Sequence, residues 1–200
     1  MTVGAIVPAA GMGTRLGGSR PKALQPVAGQ PLLVHAVRSL RACALVGPVV
    51  VAVPVGRCAE VEALLRPYDV IVVDGGAERQ DSVAAGLAAL PADVRHVLVH
   101  DAARAFVPAQ VVLAVIEALR AGAAAVVPVL PVADTVKRVG PDGTVLATVP
   151  REDLRAAQTP QGFDREVLER AHASGRPATD DASLVEALGV PGQTVAGAAE

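Results

Sequence analysis

The stretch Pro8-Ala9-Ala10-Gly11-Met12-Gly13-Thr14-Arg15-Leu16-Gly17-Gly18-Ser19-Arg20-Pro21-Lys22 follows directly on a short apolar run and sets the cations Arg15 and Lys22 among small residues. Small side chains let backbone N–H groups approach an anion or a base with no Cβ in the way. Cations in such a loop, at the carboxyl end of a strand, suit a triphosphate, on which charge grows at the non-bridging oxygens during transfer. Two familiar phosphate loops are excluded: the dinucleotide pattern needs glycine where Leu16 stands, and no Gly-Lys-Ser/Thr follows at P-loop spacing. Taken alone, the loop also fits a tight strand-to-loop turn, with Arg15 and Lys22 as solvated surface charges. Asp101, just past the apolar run 96–99, is a second candidate. A carboxylate there can hold Mg²⁺ together with phosphate oxygens, or it can cap the next turn or pair with Arg104.

The elements that must position these residues alternate. Val-rich runs at 3–7, 49–53, 70–73, 96–99 and 124–129 read as strands buried on both faces. Helical patterns fall between them at 31–43, 58–66, 82–90 and 108–121, several opening on Pro or a polar cap and closing near Gly. Strand–helix alternation predicts an α/β fold with a mainly parallel, doubly wound sheet and ligands at the carboxyl ends of its strands. The alternation breaks at 135–149, where two alternating segments flank Gly140-Pro141-Asp142-Gly143 and predict a β-hairpin. A lone hairpin is marginal in water, so it is expected to pack on the main domain or on a second subunit. Helices are expected at 164–173 and 179–188, the latter with Thr179 and Asp180 at its start and Gly189 at its end.

Bulk properties narrow the function. With 200 residues, 52% of them hydrophobic, the chain fits a single domain, 1–200, with a sizeable core. Only 2% are aromatic and the formal net charge is −2, which argues against nucleic acid as a partner. Cys43 and Cys58 have neither CxxC spacing nor a nearby His pair and read as structural thiols in a reducing compartment. The N-terminus has no signal-peptide pattern and no run reaches membrane-spanning length, so a soluble cytoplasmic protein with no membrane contact is expected.

Pro8-Ala9-Ala10-Gly11-x-Gly13-x-Arg15 followed by Pro21-Lys22 resembles the signature loop of the cytidylyltransferases of the non-mevalonate isoprenoid pathway, which act on 2-C-methyl-D-erythritol 4-phosphate. Further blocks resemble that family in its order: Val73-Asp74-Gly75-Gly76-x-x-Arg79-x-x-Ser82-Val83, Val99-His100-Asp101-Ala102-Ala103-Arg104, Asp134-Thr135-Val136-Lys137, Arg151, Thr159-Pro160-Gln161 and Thr179-Asp180-Asp181-Ala182-Ser183. The resemblance implies a Rossmann-like nucleotidyltransferase fold with a protruding β-arm at about 135–150. It implies transfer of a cytidylyl group from CTP to the 4-phosphate of methylerythritol phosphate, with Mg²⁺ as cofactor and pyrophosphate as leaving group.

Residue by residue, the resemblance makes Arg15, Lys22 and Arg151 catalytic. Pro8, Ala9, Ala10, Gly11, Gly13, Gly75, Gly76, Ser82, Asp101 and Ala102 surround the nucleotide, with Asp101 also on the metal. Gly75, Gly76 and Ser82 equally fit a turn with Ser82 as helix cap. Arg104, Asp134, Thr135, Thr159, Thr179 and Asp180 fall on the acceptor side, although Thr179 and Asp180 equally fit helix capping alone. His100 reads as structural, since a phosphate monoester nucleophile is already ionised near neutral pH and needs no base. In the family the arm is exchanged between subunits, which implies a homodimer in which Arg151 completes the partner's site. Ala105 and Ala23 depart from the family's usual proline and glutamine without removing a charged or hydroxyl group. The ending Gly197-Ala198-Ala199-Glu200 reads as short of a natural terminus, and the family's Asn-x-Lys segment falls beyond it. The competing readings are a ribitol 5-phosphate cytidylyltransferase, which shares the nucleotide blocks, and a non-catalytic nucleotide-binding domain. Retention of Arg15, Lys22 and Asp101 together speaks against the second. A nicotinamide dehydrogenase is disfavoured by Leu16.

Overall fold

Val3, Ala5 and Val7 belong to one hydrophobic cluster and Ile6 to another, which is what the two-residue period of a strand covered on both faces produces. They lie on β1 (Thr2–Pro8) of a computed structural model that describes residues 2–11 and 21–199. Gly13 and Arg15 lie outside the described residues. The chain continues through a 3₁₀ turn at Lys22–Leu24, a short antiparallel pair β2 (Pro26–Val27) and β3 (Gln30–Pro31), α1 (Leu32–Arg41), β4 (Val46–Val53), α2 (Cys58–Leu65), β5 (Ile71–Asp74), α3 (Arg79–Ala89), β6 (Val94–Val99), α4 (Ala109–Arg120) and β7 (Ala125–Pro131). There follow β8 (Val136–Val139), β9 (Val145–Val149), β10 (Arg155–Ala157), β11 (Gln161–Asp164), α5 (Arg165–Ala173), α6 (Asp181–Glu186) and β12 (Gln193–Ala196).

The neighbours β5, β4, β1 and β6 are all parallel, and the strand order turns back at β1. In open α/β sheets ligands collect at the carboxyl ends beside such a reversal. The expected parallel run is broken by β11, which lies antiparallel between β6 and β7, while β10 and β12 also pair with β7. Gln161-Gly162-Phe163-Asp164 lacks alternation and β10 spans only three residues, so neither carries a strand signal in the sequence. Helices cover both faces: Leu33, Val37 and Leu40 of α1, Val61 of α2 and Val112 and Ile116 of α4 join one cluster. Val83 and Leu87 of α3, Leu168 of α5 and Val185 of α6 join the other, around Phe163. Each such side chain contributes about 1.5–3 kcal/mol by leaving water.

Two local expectations, the cap at Ser82 and the burial of Cys58, need correction, while the expected hairpin is present. Helix α3 starts at Arg79, because Glu78 and Asp81 form a reciprocal capping box; Ser82 lies in the first turn and is not the cap. The hairpin β8–β9 forms a separate two-stranded sheet that is largely exposed, with Val139, Val145 and Leu146 open to solvent. Cys43 is buried as expected, but Cys58 is half-buried at the start of α2 and its thiol donates to Asp74 Oδ1 at 3.2 Å. Burial first, and then Asp74, pushes that thiol's pKa up.

Candidate active site

The parallel ladder runs past the strand ends and draws the neighbouring loops together. Ala9 N–H donates to Ala52 C=O at 2.7 Å, Gly75 N–H to Val53 C=O at 2.7 Å and His100 N–H to Ile6 C=O at 2.9 Å. Where the three chains diverge lies a cavity of about 320 Å³, within the usual range of small-ligand sites. Its wall comprises Pro8, Ala9, Ala10, Gly11, Lys22, Gly76, Ser82, Asp101 and Ala102, together with Arg79, Glu78 and three alanines. The structure thus gathers most of the residues expected around a nucleotide.

Gly75 and Gly76 leave no space for a side chain. A Cβ on Gly76 would lie 2.1 Å from Asp81 Cβ, and one on Gly75 would lie 2.7 Å from Ser82 Oγ and 2.8 Å from Ala10 Cβ. The turn after β5 therefore packs tightly between the first loop and the α3 cap. Ser82 is buried; its hydroxyl donates to Glu78 C=O and accepts from Gly76 N–H, each at 3.2 Å. It thereby fixes the loop's backbone against the cavity. Lys22 is exposed at the cavity wall and makes no ion pair among the described residues.

Asp101 makes a contact that its sequence neighbours do not disclose. It pairs with Arg79 rather than with Arg104: Arg79 Nε donates to Asp101 Oδ1 at 3.0 Å, while Arg104 Nη2 donates to Ala157 C=O. The same guanidinium donates through Nη1 to Asp181 Oδ2 at 2.6 Å. Arg79 is quoted in a block of the resemblance but was not among the expected site residues, and only the fold brings α3, α6 and the end of β6 together. Burial works against its charge, but Asp181 and Asp101 outweigh it and raise its pKa, so it remains a cation. Asp181 is buried; burial pushes its pKa up, but the hydrogen bond from His172 and the Arg79 charge prevail and hold it below the usual carboxylate range.

Behind Asp101, its N–H donates to Thr159 Oγ1 at 3.1 Å, and the Thr159 hydroxyl lies 3.0 Å from His100 Nδ1. His100 Nε2 lies 2.9 Å from Arg104 C=O, which can only accept, so the proton sits on Nε2 and Nδ1 accepts from Thr159. Full burial lowers the His100 pKa to about 4, the nearby Asp101 offsetting part of that. His100 and Thr159 thus form a neutral internal strut beneath Asp101, and the Thr159 hydroxyl points inward.

The other acceptor-side candidates fall in separate places. Asp180 caps α6, its Oδ1 accepting from Ser183 N–H and hydroxyl and its Oδ2 from Gln161 Nε2 at 2.6 Å. Thr179 lines a neighbouring cleft of about 190 Å³ that shares Glu78 and Arg79 with the first. Asp134, Thr135 and Arg151 gather, exposed, at the root of the hairpin, where Arg151 Nη1 donates to Ala133 C=O. None of the three lines the larger cavity.

Known proteins identify the family of the chain. Residues 3–200 match the family model for 2-C-methyl-D-erythritol 4-phosphate cytidylyltransferase. The chain belongs to this family. A relative so named from Frankia casuarinae is 56% identical over 199 residues, covering 99% of this chain and 74% of its own. Another from Saccharopolyspora erythraea is 55% identical, covering 98% and 91%. The crystal structure of the cytidylyltransferase from Thermus thermophilus superposes with a TM-score of 0.83 at 40% identity, covering 100% of this chain and 90% of the other. In this member of the cytidylyltransferase family, the cavity lined by residues 8–11, Lys22 and Asp101 at the switch point of the sheet is the candidate nucleotide site.

Proposed function

We infer that this chain transfers a cytidylyl group from CTP to 2-C-methyl-D-erythritol 4-phosphate, forming the cytidine diphosphate derivative and pyrophosphate in isoprenoid precursor synthesis. The observation that carries this reading is the joint lining of one cavity by residues 8–11, Lys22, Gly76, Ser82 and Asp101, in a chain of this family. The acceptor's phosphate oxygen attacks the α-phosphorus in line, and the pyrophosphate departs on the opposite side. Backbone groups around Gly75 and Gly76 read the base, in a space suited to a pyrimidine. Lys22 meets charge that grows on the α-phosphate in the transition state, and Arg15 is assigned the same task by its place in the motif. Positioning and charge stabilisation carry the reaction, and no side-chain base is required.

Mg²⁺ fits as the cofactor. Asp101 stands at the cavity wall with one oxygen on Arg79 and the other without a hydrogen-bond partner among the described residues, and no group of three or more His, Cys, Asp or Glu there could hold a metal alone. That donor set suits an ion held by one carboxylate and substrate phosphates. Bound there, Mg²⁺ would neutralise phosphate charge. We further propose a homodimer through the hairpin, with Arg151, Asp134 and Thr135 serving the partner's acceptor site. The exposed apolar residues of the arm support it, since an isolated two-stranded sheet has little core of its own. No helix among the described residues is long and apolar enough to cross a membrane, and we assign the reaction to the cytoplasm.

The test is pyrophosphate release with CTP, Mg²⁺ and each acceptor in turn. Release with methylerythritol phosphate and not with ribitol 5-phosphate supports the assignment; the reverse selects the ribitol enzyme. Binding of CTP without release in either case selects a non-catalytic domain.

A further inference from the structure

Asp181 is the buried carboxylate among the described residues, with 1% of its side chain exposed, and both its oxygens are in use. Oδ2 accepts from Arg79, and Oδ1 lies 2.8 Å from Nε2 of His172, a residue of the last turn of α5 whose own side chain is only 6% exposed. The other ring nitrogen of His172, Nδ1, is buried with no hydrogen-bond partner. A proton on Nδ1 would be a buried donor without an acceptor, so the ring carries its proton on Nε2 and donates to Asp181. A continuous chain of hydrogen bonds therefore runs from His172 through Asp181 and Arg79 to Asp101.

This chain is not needed to hold the start of α6. Asp180 already caps that helix, and Gln161 ties it to β11 by accepting from Ala182 N–H at 3.1 Å and donating to Asp180. What the His172–Asp181 bond adds is orientation. The guanidinium is planar and its Nε and Nη1 are fixed relative to one another, so whatever sets the Nη1 contact with Asp181 also sets the direction in which Nε meets Asp101. His172 does not line the cavity.

We infer that His172 is a positioning residue for nucleotidyl transfer, acting through Asp181 and Arg79 on the aim of Asp101. The inference rests on the role given to Asp101 above. Partners one contact removed from a functional group typically cost about 10–100-fold when lost, and His172 stands three contacts from Asp101, so the lower end of that range is expected. His172→Asn retains a polar side chain but stops short of Asp181, whereas His172→Gln places its amide nitrogen close to where Nε2 stood. The Asn variant is expected to lower kcat about tenfold with the KM for CTP within about twofold, and the Gln variant to recover most of the loss.

Both substitutions are then combined with Asp101→Asn, and single-turnover rates are measured with enzyme in excess. If His172 acts through Asp101, the Asn substitution at 172 has no further effect once Asp101 is gone; multiplied effects overturn the inference. It is equally overturned if folded His172→Asn turns over like the wild type, or if the Gln variant is as slow as the Asn variant. Should His172→Asn fail to fold, Asp181→Asn alone and in the Asp101→Asn background decides: a loss of turnover that vanishes in that background is expected, and a folded Asp181→Asn that turns over like the wild type, or whose loss multiplies there, overturns the inference. Wild-type turnover by Asp101→Asn alone overturns the assignment of Asp101 itself, a result separable from the others.

Discussion

Arg79 joins Asp101 at the cavity wall to Asp181 in the interior, its Nε 3.0 Å from one carboxylate and its Nη1 2.6 Å from the other. A lysine ammonium is a single point and cannot span both. Arg79→Lys is therefore expected to lower kcat by about 10–100-fold by freeing Asp101. Stability should fall by about 2 kcal/mol, less than for a fully buried pair because the arginine is a third exposed and Asp181 keeps His172. Steady-state kinetics and urea midpoints measure the two losses; unchanged turnover in the lysine variant would dissociate Arg79 from catalysis.

Gly76→Ala tests the fit of the base pocket. The added carbon meets Asp81 Cβ at 2.1 Å, on the backbone-proximal part of a capping residue that cannot simply swing away. The turn must shift relative to the start of α3, at a cost of about 1–3 kcal/mol. Weakened CTP binding by calorimetry, together with a lowered melting temperature, is expected. Full affinity in a destabilised protein would mean that the loop's backbone does not contact the base.

His100 gives a pH dependence of stability with a definite sign. Its folded pKa is about 4, below the ordinary histidine value of 6.5, so between those pH values the unfolded chain binds more protons than the folded one. Stability should therefore fall as pH drops from about 6.5 towards 4, by up to about 3 kcal/mol, and this contribution should level off below pH 4. His96, whose pKa is also lowered by burial, adds a slope of the same sign. In His100→Gln the amide cannot be charged, so the slope of unfolding free energy against pH over that window should be shallower than in the wild type. Equal slopes would show that His100 is not the neutral buried group described.

The sequence carried the parallel half of the sheet because Val-rich runs report burial on both faces, and strand boundaries at β1, β4 and β6 fall within a few residues of those runs. It did not carry β10, β11 or β12, short strands whose pairing is decided by contacts with β7 and β6 rather than by their own pattern. The same division holds in the cavity. Local features, a glycine-rich loop and a carboxylate after a strand, pointed to Lys22, Gly11 and Asp101. The Arg79 clamp joins residues 22 and 102 positions apart, and its His172 support reaches Asp181 from another helix, so no spacing rule could signal them. Thr159 and Asp180 matched the resemblance, yet their polar atoms are directed to His100, Asp101, Ser183 and Gln161, contacts invisible before the chain is folded.

The hairpin connects assembly to catalysis in one experiment. Val139, Val145 and Leu146 are 51%, 58% and 62% exposed on an arm with unpaired edges, a surface that a second copy would cover. Arg151 stands at the root of that arm, outside the lining of its own chain's cavity, whereas Lys22 is within it. Lys22→Ala should lower kcat by about two to three orders of magnitude by removing a charge that acts in the transition state. Arg151→Ala should also be nearly inactive. In a mixed dimer with the arm reaching across, one site carries both defects and the other carries neither. Mixing the two variants and allowing subunit exchange should then restore about half of wild-type activity per mixed dimer, provided the sites work independently. Proof of exchange, for instance by native mass spectrometry of differently tagged chains, must accompany the assay. Formation of mixed dimers without recovery would place Arg151 in its own subunit's site or outside the reaction, and a strictly monomeric protein at assay concentrations would refute the shared arrangement altogether.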